Sequence, residues 1–85
     1  MEVKFAKQFK KLYKKSPLAI QRSFDERLAV FLADPNNFIL RNHPLKGDLD
    51  GSFTINITGD WRAIYKVVDG VIIFIALGTH SQLYG

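Results

Sequence analysis

Apolar residues fall at Phe5, Phe9, Leu12 and Tyr13, a spacing of i, i+4, i+7 and i+8 that predicts an amphipathic helix with its lysines facing outward. Just ahead of it, Glu2 to Phe5 suits a short edge strand. The helix should end near Lys15, where lysines complement the negative end of the helix dipole. Ser16–Pro17 then has the chemistry of an N-cap and first helical position. The second helix carries an apolar stripe of Ile20, Phe24, Leu28, Phe31 and Leu32, with Gln21, Arg22, Asp25 and Glu26 turned away from it. Asp34–Pro35 stops it, because the residue before proline avoids the α region. So short a turn between two helices predicts an antiparallel hairpin.

From Phe53 the period changes to two. Phe53, Ile55 and Ile57 alternate with Thr54, Asn56 and Thr58, which predicts a strand with one buried and one polar face. A turn at Thr58–Asp60 leads into a strand from Trp61 to Val68, and Asp69–Gly70 is a strong two-residue hairpin signal. The strand that follows, Val71 to Leu77, is apolar on both faces and is expected to be central. Asn36 to Gly51, rich in Asn, Pro, Asp and Gly, is expected to be a connection. The predicted architecture is α+β in the order β-α-α-β-β-β, an antiparallel sheet with the helix hairpin packed on one face. The 85 residues contain no repeat or linker, so a single domain over 1–85 is expected.

Charge sharpens this picture. Half of the 12 Lys and Arg residues lie in the first fifteen positions, as Lys4, Lys7, Lys10, Lys11, Lys14 and Lys15. That patch is either a solvated helix face or an electrostatic footprint for a polyanion. There is no cysteine, which removes disulfides and thiolate metal sites and fits a reducing cytoplasm. No run of about 18 apolar residues exists to span a membrane. The opening "MEVKFAKQFKK" is too charged for a signal peptide.

The candidate chemistry lies in the second half. His43 and His80 are the two histidines, and neither sits on an apolar stripe. In a meander the turn at Thr58–Asp60 shares a sheet end with the exit of the last strand. Asp60, Arg62 and His80 are therefore expected to converge, with Asn56 nearby, and the preceding loop can bring His43 and Lys46 to them. Tyr84 is a candidate to stack an unpaired base. Trp61 suits either the core or a base. Histidines with fixed cations suit RNA cleavage by 2′-OH attack, because histidine serves as acid or base near neutrality and arginine offers phosphate a permanent planar fork. The histidines lack metal-ligand spacing, Ser81 lies in no G-x-S-x-G elbow, and "GDLDG" lacks the length of a calcium loop.

Three stretches, "HPLKGDLDG", "ITGDWRAIYKVVDG" and "LGTHSQLYG", resemble in order and approximate spacing the RelE superfamily of bacterial and archaeal toxins, and most of all its YafQ-like branch. They fall within Asn42 to Gly85, half of the chain. The resemblance implies a RelE-like fold and a small cytoplasmic endoribonuclease, the toxin of a type II toxin–antitoxin pair. It implies cleavage of mRNA in the ribosomal A site without metal or other cofactor, leaving a 2′,3′-cyclic phosphate or 3′-phosphate and a 5′-hydroxyl. The implied partners are an antitoxin that wraps the toxin, the ribosome and mRNA; no membrane is implied, and the free toxin is expected to be a monomer. Residue by residue, His43 matches the histidine of the HPL motif and His80 that of the GTH motif, a general acid or base. Asp60 and Trp61 match an Asp–Trp pair, Arg62 a phosphate-contacting arginine, Tyr84 a terminal aromatic and Lys46 a basic position facing RNA. Two positions depart from the pattern: Asn56 stands where active YafQ-like members have histidine, and Ala76 where they have arginine. Those departures leave a second expectation beside the first, a RelE- or ParE-fold binding protein without RNA cleavage.

Overall fold

A serine closes the first helix. In the computed structural model, which describes residues 1–84, α1 spans Lys7–Lys15 and α2 spans Leu18–Ala33. Ser16 Oγ donates to the Leu12 carbonyl at 2.7 Å and its N–H to that of Tyr13 at 3.1 Å. Ser16 thus satisfies the carbonyl end of α1 instead of capping α2, and Pro17 takes the cap position of α2 without a side-chain bond. The expected N-cap role is corrected by that competition: the orphan carbonyls of α1 are the nearer acceptors for the hydroxyl. The helices form the expected hairpin, and Tyr13 Oη donates across it to Asp25 at 2.8 Å. Of the stripe on α2, Phe24 and Phe31 are buried, whereas Leu32 is 46% exposed.

Five strands make one sheet in the order β1-β5-β4-β3-β2. They are β1 (Val3–Phe5), β2 (His43–Pro44), β3 (Ser52–Asn56), β4 (Trp61–Val68) and β5 (Val71–Thr79), and a short α3 (His80–Tyr84) follows. The edge strand β1 pairs parallel to β5, so the sheet is mixed where an antiparallel sheet was expected. The expected connection between α2 and β3 contains two short 3₁₀ turns and the two-residue β2. β5 is interior, flanked by β1 and β4, while β4 is the middle strand. The final Gly85 of the third motif lies outside the described residues.

A bulge sets the two faces. Ile64 pairs with Ala76, but its neighbour Tyr65 pairs with Phe74, leaving Ile75 as the extra residue. Strict alternation would put Phe74 and Leu77 on opposite faces. The bulge resets the phase, and both join the core with Phe9, Phe24, Phe31, Ile55, Ala63 and Tyr65. That core lies between the sheet and the helix hairpin. Tyr65 sits deep enough that burial pushes its hydroxyl above the ordinary tyrosine range.

Ala63 and Tyr65 take one face of β4, which leaves Arg62 and Ile64 on the other. Register then fixes that second face. Asn56 pairs with Arg62 and Arg62 with Gly78, while His43 pairs with Thr54, Thr54 with Ile64 and Ile64 with Ala76. Residues two apart along a strand share a face about 6.6 Å apart. His43, Thr54, Asn56 and Arg62 therefore stand in two adjacent rows of the same surface. Thr54, expected on the polar face, is only 1% exposed. The cover comes from α3, whose Tyr84 hydroxyl donates to Thr54 Oγ1 at 2.9 Å.

Candidate active site

Three local devices hold His80 over this face. Thr79 and Gln82 form a reciprocal capping box: the Thr79 N–H donates to Gln82 Oε1 at 2.9 Å, and the Gln82 N–H to Thr79 Oγ1 at 3.3 Å. The His80 N–H donates to the Asp60 carbonyl at 2.9 Å, which ties the helix start to the β3–β4 turn. Gly78 lets α3 fold back closely, since a Cβ there would meet Gln82 Oε1 at 3.0 Å and the Leu83 side chain at 3.3 Å. The His80 ring packs edge-to-face on Tyr84, with centroids 4.7 Å apart.

Tyr84 thus latches the helix to the sheet. Replacing it by phenylalanine keeps the ring but strands the buried Thr54 hydroxyl, a loss of about 1–2 kcal/mol. The expected result for Tyr84→Phe is faster hydrogen exchange at the α3 amides than in the parent chain. Unchanged α3 exchange would show that the latch does not hold the helix.

Arg62 is anchored at one nitrogen. Its Nη1 donates to the carbonyls of Thr58, Gly59 and Trp61 at 3.0, 3.1 and 3.0 Å. The guanidinium has five N–H donors, and those on Nε and Nη2 make no hydrogen bond among the described residues. His43 is fixed as well. Its Nδ1 lies 2.7 Å from the Arg41 carbonyl oxygen. A carbonyl only accepts, so the proton of the neutral ring sits on Nδ1 and Nε2 presents a lone pair.

These groups line one cleft of about 400 Å³, within the usual range for ligand sites. Its walls are His43, Asn56, Arg62, His80 and Tyr84, together with Arg41, Leu45 and Thr54. Among the described residues, two arginines and two histidines line it and no Asp or Glu does. Five of the sequence-predicted residues are therefore brought together. Asp60 is not among the lining residues, and it meets His80 through its main-chain carbonyl. Lys46 is exposed on the loop just past Leu45, outside the lining. Trp61 is half-buried and packs against the hydrophobic core. Ala76 lies opposite Ile64, in the row that begins at His43.

The residues that the sequence did not single out are Arg41, Leu45 and Thr54. Thr54 is readable once β3 is paired, since it lies directly across from His43. Arg41 has no such signal. It holds a left-handed backbone, φ 47° and ψ 44°, at the end of the 3₁₀ turn Phe38–Leu40. For a residue with a Cβ that conformation costs of order 1–3 kcal/mol. Asn42 braces the next position: its Nδ2 donates to the Pro35 carbonyl at 3.1 Å, and its Oδ1 accepts from Tyr65 Oη at 2.9 Å.

Elsewhere, a second hollow of about 470 Å³ lies between the helices and is walled by Phe5, Phe9, Tyr13, Phe24 and Leu28. Lys10, Lys14 and Asp25 complete its lining, which includes no histidine. Among the described residues no helix is long and apolar enough to cross a membrane.

A mixed sheet with a helix hairpin on one face and a basic, histidine-bearing cleft on the other defines a small RelE-like toxin fold. Comparison with known proteins agrees. The model of the family described as "Bacterial toxin of type II toxin-antitoxin system, YafQ" matches residues 1–85, and the chain belongs to that family. The mRNA interferase toxin YafQ of Escherichia coli strain K12 is 36% identical over 47 residues, which are 55% of this chain and 51% of that protein. The chain thus aligns with about half the length of the curated relatives it matches. The crystal structure of YafQ from E. coli BL21(DE3) superposes with a TM-score of 0.79 at 25% identity, covering 99% of this chain and 98% of the other. YafQ in the E. coli DinJ–YafQ toxin–antitoxin complex superposes at 0.73 with 27% identity, covering 99% and 97%.

Proposed function

We propose that this chain is the toxin of a type II toxin–antitoxin pair, a cytoplasmic, metal-independent endoribonuclease that cuts mRNA on the ribosome. The observation that carries the proposal is the meeting of His43, His80 and Arg62 in one cleft whose described lining residues include no Asp or Glu. Family membership and the mRNA interferase relatives support it. The DinJ–YafQ complex of the E. coli relative supports an antitoxin as the partner.

In the proposed steps, His43 Nε2, unprotonated while Nδ1 bonds the Arg41 carbonyl, takes the proton from the RNA 2′-OH. The 2′ oxygen bonds to the adjacent phosphorus, and charge grows on the non-bridging oxygens. Arg62 meets that charge through Nε and Nη2, already aimed by the three turn carbonyls. The Asn56 amide, paired across from Arg62, adds a neutral donor. His80 gives its proton to the departing 5′ oxygen as the P–O5′ bond breaks. The products are a 2′,3′-cyclic phosphate and a 5′-hydroxyl. Asp60 positions His80 through its carbonyl, Tyr84 supports the imidazole and presents a face to a base, and Trp61 steadies the strand that carries Arg62. Lys46 and the α1 lysines contact RNA phosphates outside the cleft.

Expression in growing cells with mapping of mRNA 5′ ends tests this. Codon-phased cuts that vanish in His80→Ala support it. Growth arrest with intact mRNA, unchanged by His80→Ala, would replace it with a binding toxin on the same fold.

A further inference from the structure

Arg41 is the cleft residue with the least conventional backbone. A left-handed position normally goes to glycine or asparagine, and an arginine there is uncommon. The surrounding chain holds it firmly. Leu40 before it is fully buried, and Asn42 after it is bonded to both Pro35 and Tyr65. The 3₁₀ turn that delivers it is braced by Asn37 Oδ1, which accepts the Ile39 N–H at 3.1 Å, and by Arg27, which donates to the Ile39 carbonyl at 3.3 Å. Unfavourable backbone that the surroundings enforce next to a functional cleft is a reason to look for function. Two consequences follow from that backbone. The Arg41 carbonyl accepts from His43 Nδ1, and Arg41 is one of the residues that line the cleft.

The cleft has a use for a second cation. Arg62 comes from β4 and commits its Nη1 to the turn, so it offers one edge to a phosphate. Arg41 comes from the β2 side, with β3 and its Thr54 and Asn56 between the two. A phosphate seated over β3 therefore lies between two arginine-bearing segments.

We propose that Arg41 is a catalytic residue of this cleft: its guanidinium binds the scissile phosphate opposite Arg62, while its main-chain carbonyl orients His43 for proton abstraction. The inference rests on the ribonuclease activity proposed above, and it has a readout independent of that activity.

Arg41→Gly separates the two functions. Glycine adopts the left-handed conformation freely and keeps the carbonyl, so only the guanidinium is lost. The expected variant is at least as stable as the parent. Its His43 imidazole ¹⁵N spectrum keeps the Nδ1-protonated tautomer. Single-turnover cleavage of ribosome-bound mRNA falls about 10²–10³-fold, and Arg41→Lys recovers part of the loss by restoring charge without the planar fork. In a ribosome-free titration with adenosine 3′-monophosphate, the Nε–H signals of Arg41 and Arg62 shift together in the parent. In Arg41→Gly the Kd rises about tenfold or more. If Arg41→Gly cleaves within threefold of the parent while His80→Ala is inactive, Arg41 is not catalytic and the ribonuclease proposal stands. If the parent itself leaves mRNA intact, the titration decides: a shift at Arg41 supports the two-arginine phosphate site, and an unmoved Arg41 signal overturns it.

Discussion

His80→Ala is expected to lower single-turnover mRNA cleavage by about 10²–10⁴-fold, the usual contribution of one positioned acid or base. His43→Ala should lose a similar factor. The double variant should fall well short of the product of the two, because residues that act as a unit lose their effect together. Both imidazoles are exposed, so the fold should survive. His80→Ala leaves the capping box intact, since that box is built by Thr79 and Gln82. The substitution removes the edge-to-face packing on Tyr84, worth about 0.5–1.5 kcal/mol. Thermal unfolding beside the rate measurement separates the two effects. A His80→Ala chain that folds and cleaves like the parent would remove His80 from the chemistry.

The largest expected effect on stability is at Phe74. It is fully buried, and five rings surround it: Phe5, Phe9, Phe24, Phe31 and Tyr65, with centroids 5.4–5.9 Å away. Those rings come from β1, α1, α2 and β4, so this one side chain joins the hairpin to the sheet. Phe74→Ala should cost about 3–5 kcal/mol. A chain of this length has about 4–13 kcal/mol in total. The variant should therefore lose a large share of its stability, read as a shift of the urea midpoint. Phe38, at 86% exposure, is the internal control: its alanine variant should change stability by less than about 0.5 kcal/mol. A Phe74→Ala cost under about 1 kcal/mol would contradict the packing described.

The same strand shows what the sequence could and could not disclose. Alternation in Phe53, Ile55 and Ile57 was sufficient to place β3, because one of its faces meets the core and the other is polar in composition. In β5 nearly every residue is apolar, so periodicity could not assign a face to Phe74 or Leu77. The bulge at Ile75 assigned both to the core. The polar side of β3 was read correctly as polar, but its cover, α3, was not anticipated. A signal for α3 was present: Thr79-His80-Ser81-Gln82 is a capping-box sequence. At the site, pairing of β3 with β4 brings Asn56 to Arg62, and the β3–β4 turn brings Asp60 to His80, as the meander predicted. The two-residue β2 then sets His43 against Thr54. Arg41 was illegible, since nothing in a single sequence marks an arginine as left-handed. Ser16 shows a competition between neighbours, where a hydroxyl with two helices in reach served the preceding one.

The proposed cleavage depends most directly on the 2′-hydroxyl. A short mRNA with a single 2′-deoxy substitution at the mapped scissile nucleotide, presented on programmed ribosomes, isolates that group from binding and decoding. The ribose message should be cut to a 2′,3′-cyclic or 3′-phosphate and a 5′-hydroxyl end, and the substituted message should stay whole at that site. Equal cleavage of both messages, or ends carrying a 5′-phosphate, would mean that His43 and His80 do not act as base and acid in attack by the 2′-hydroxyl.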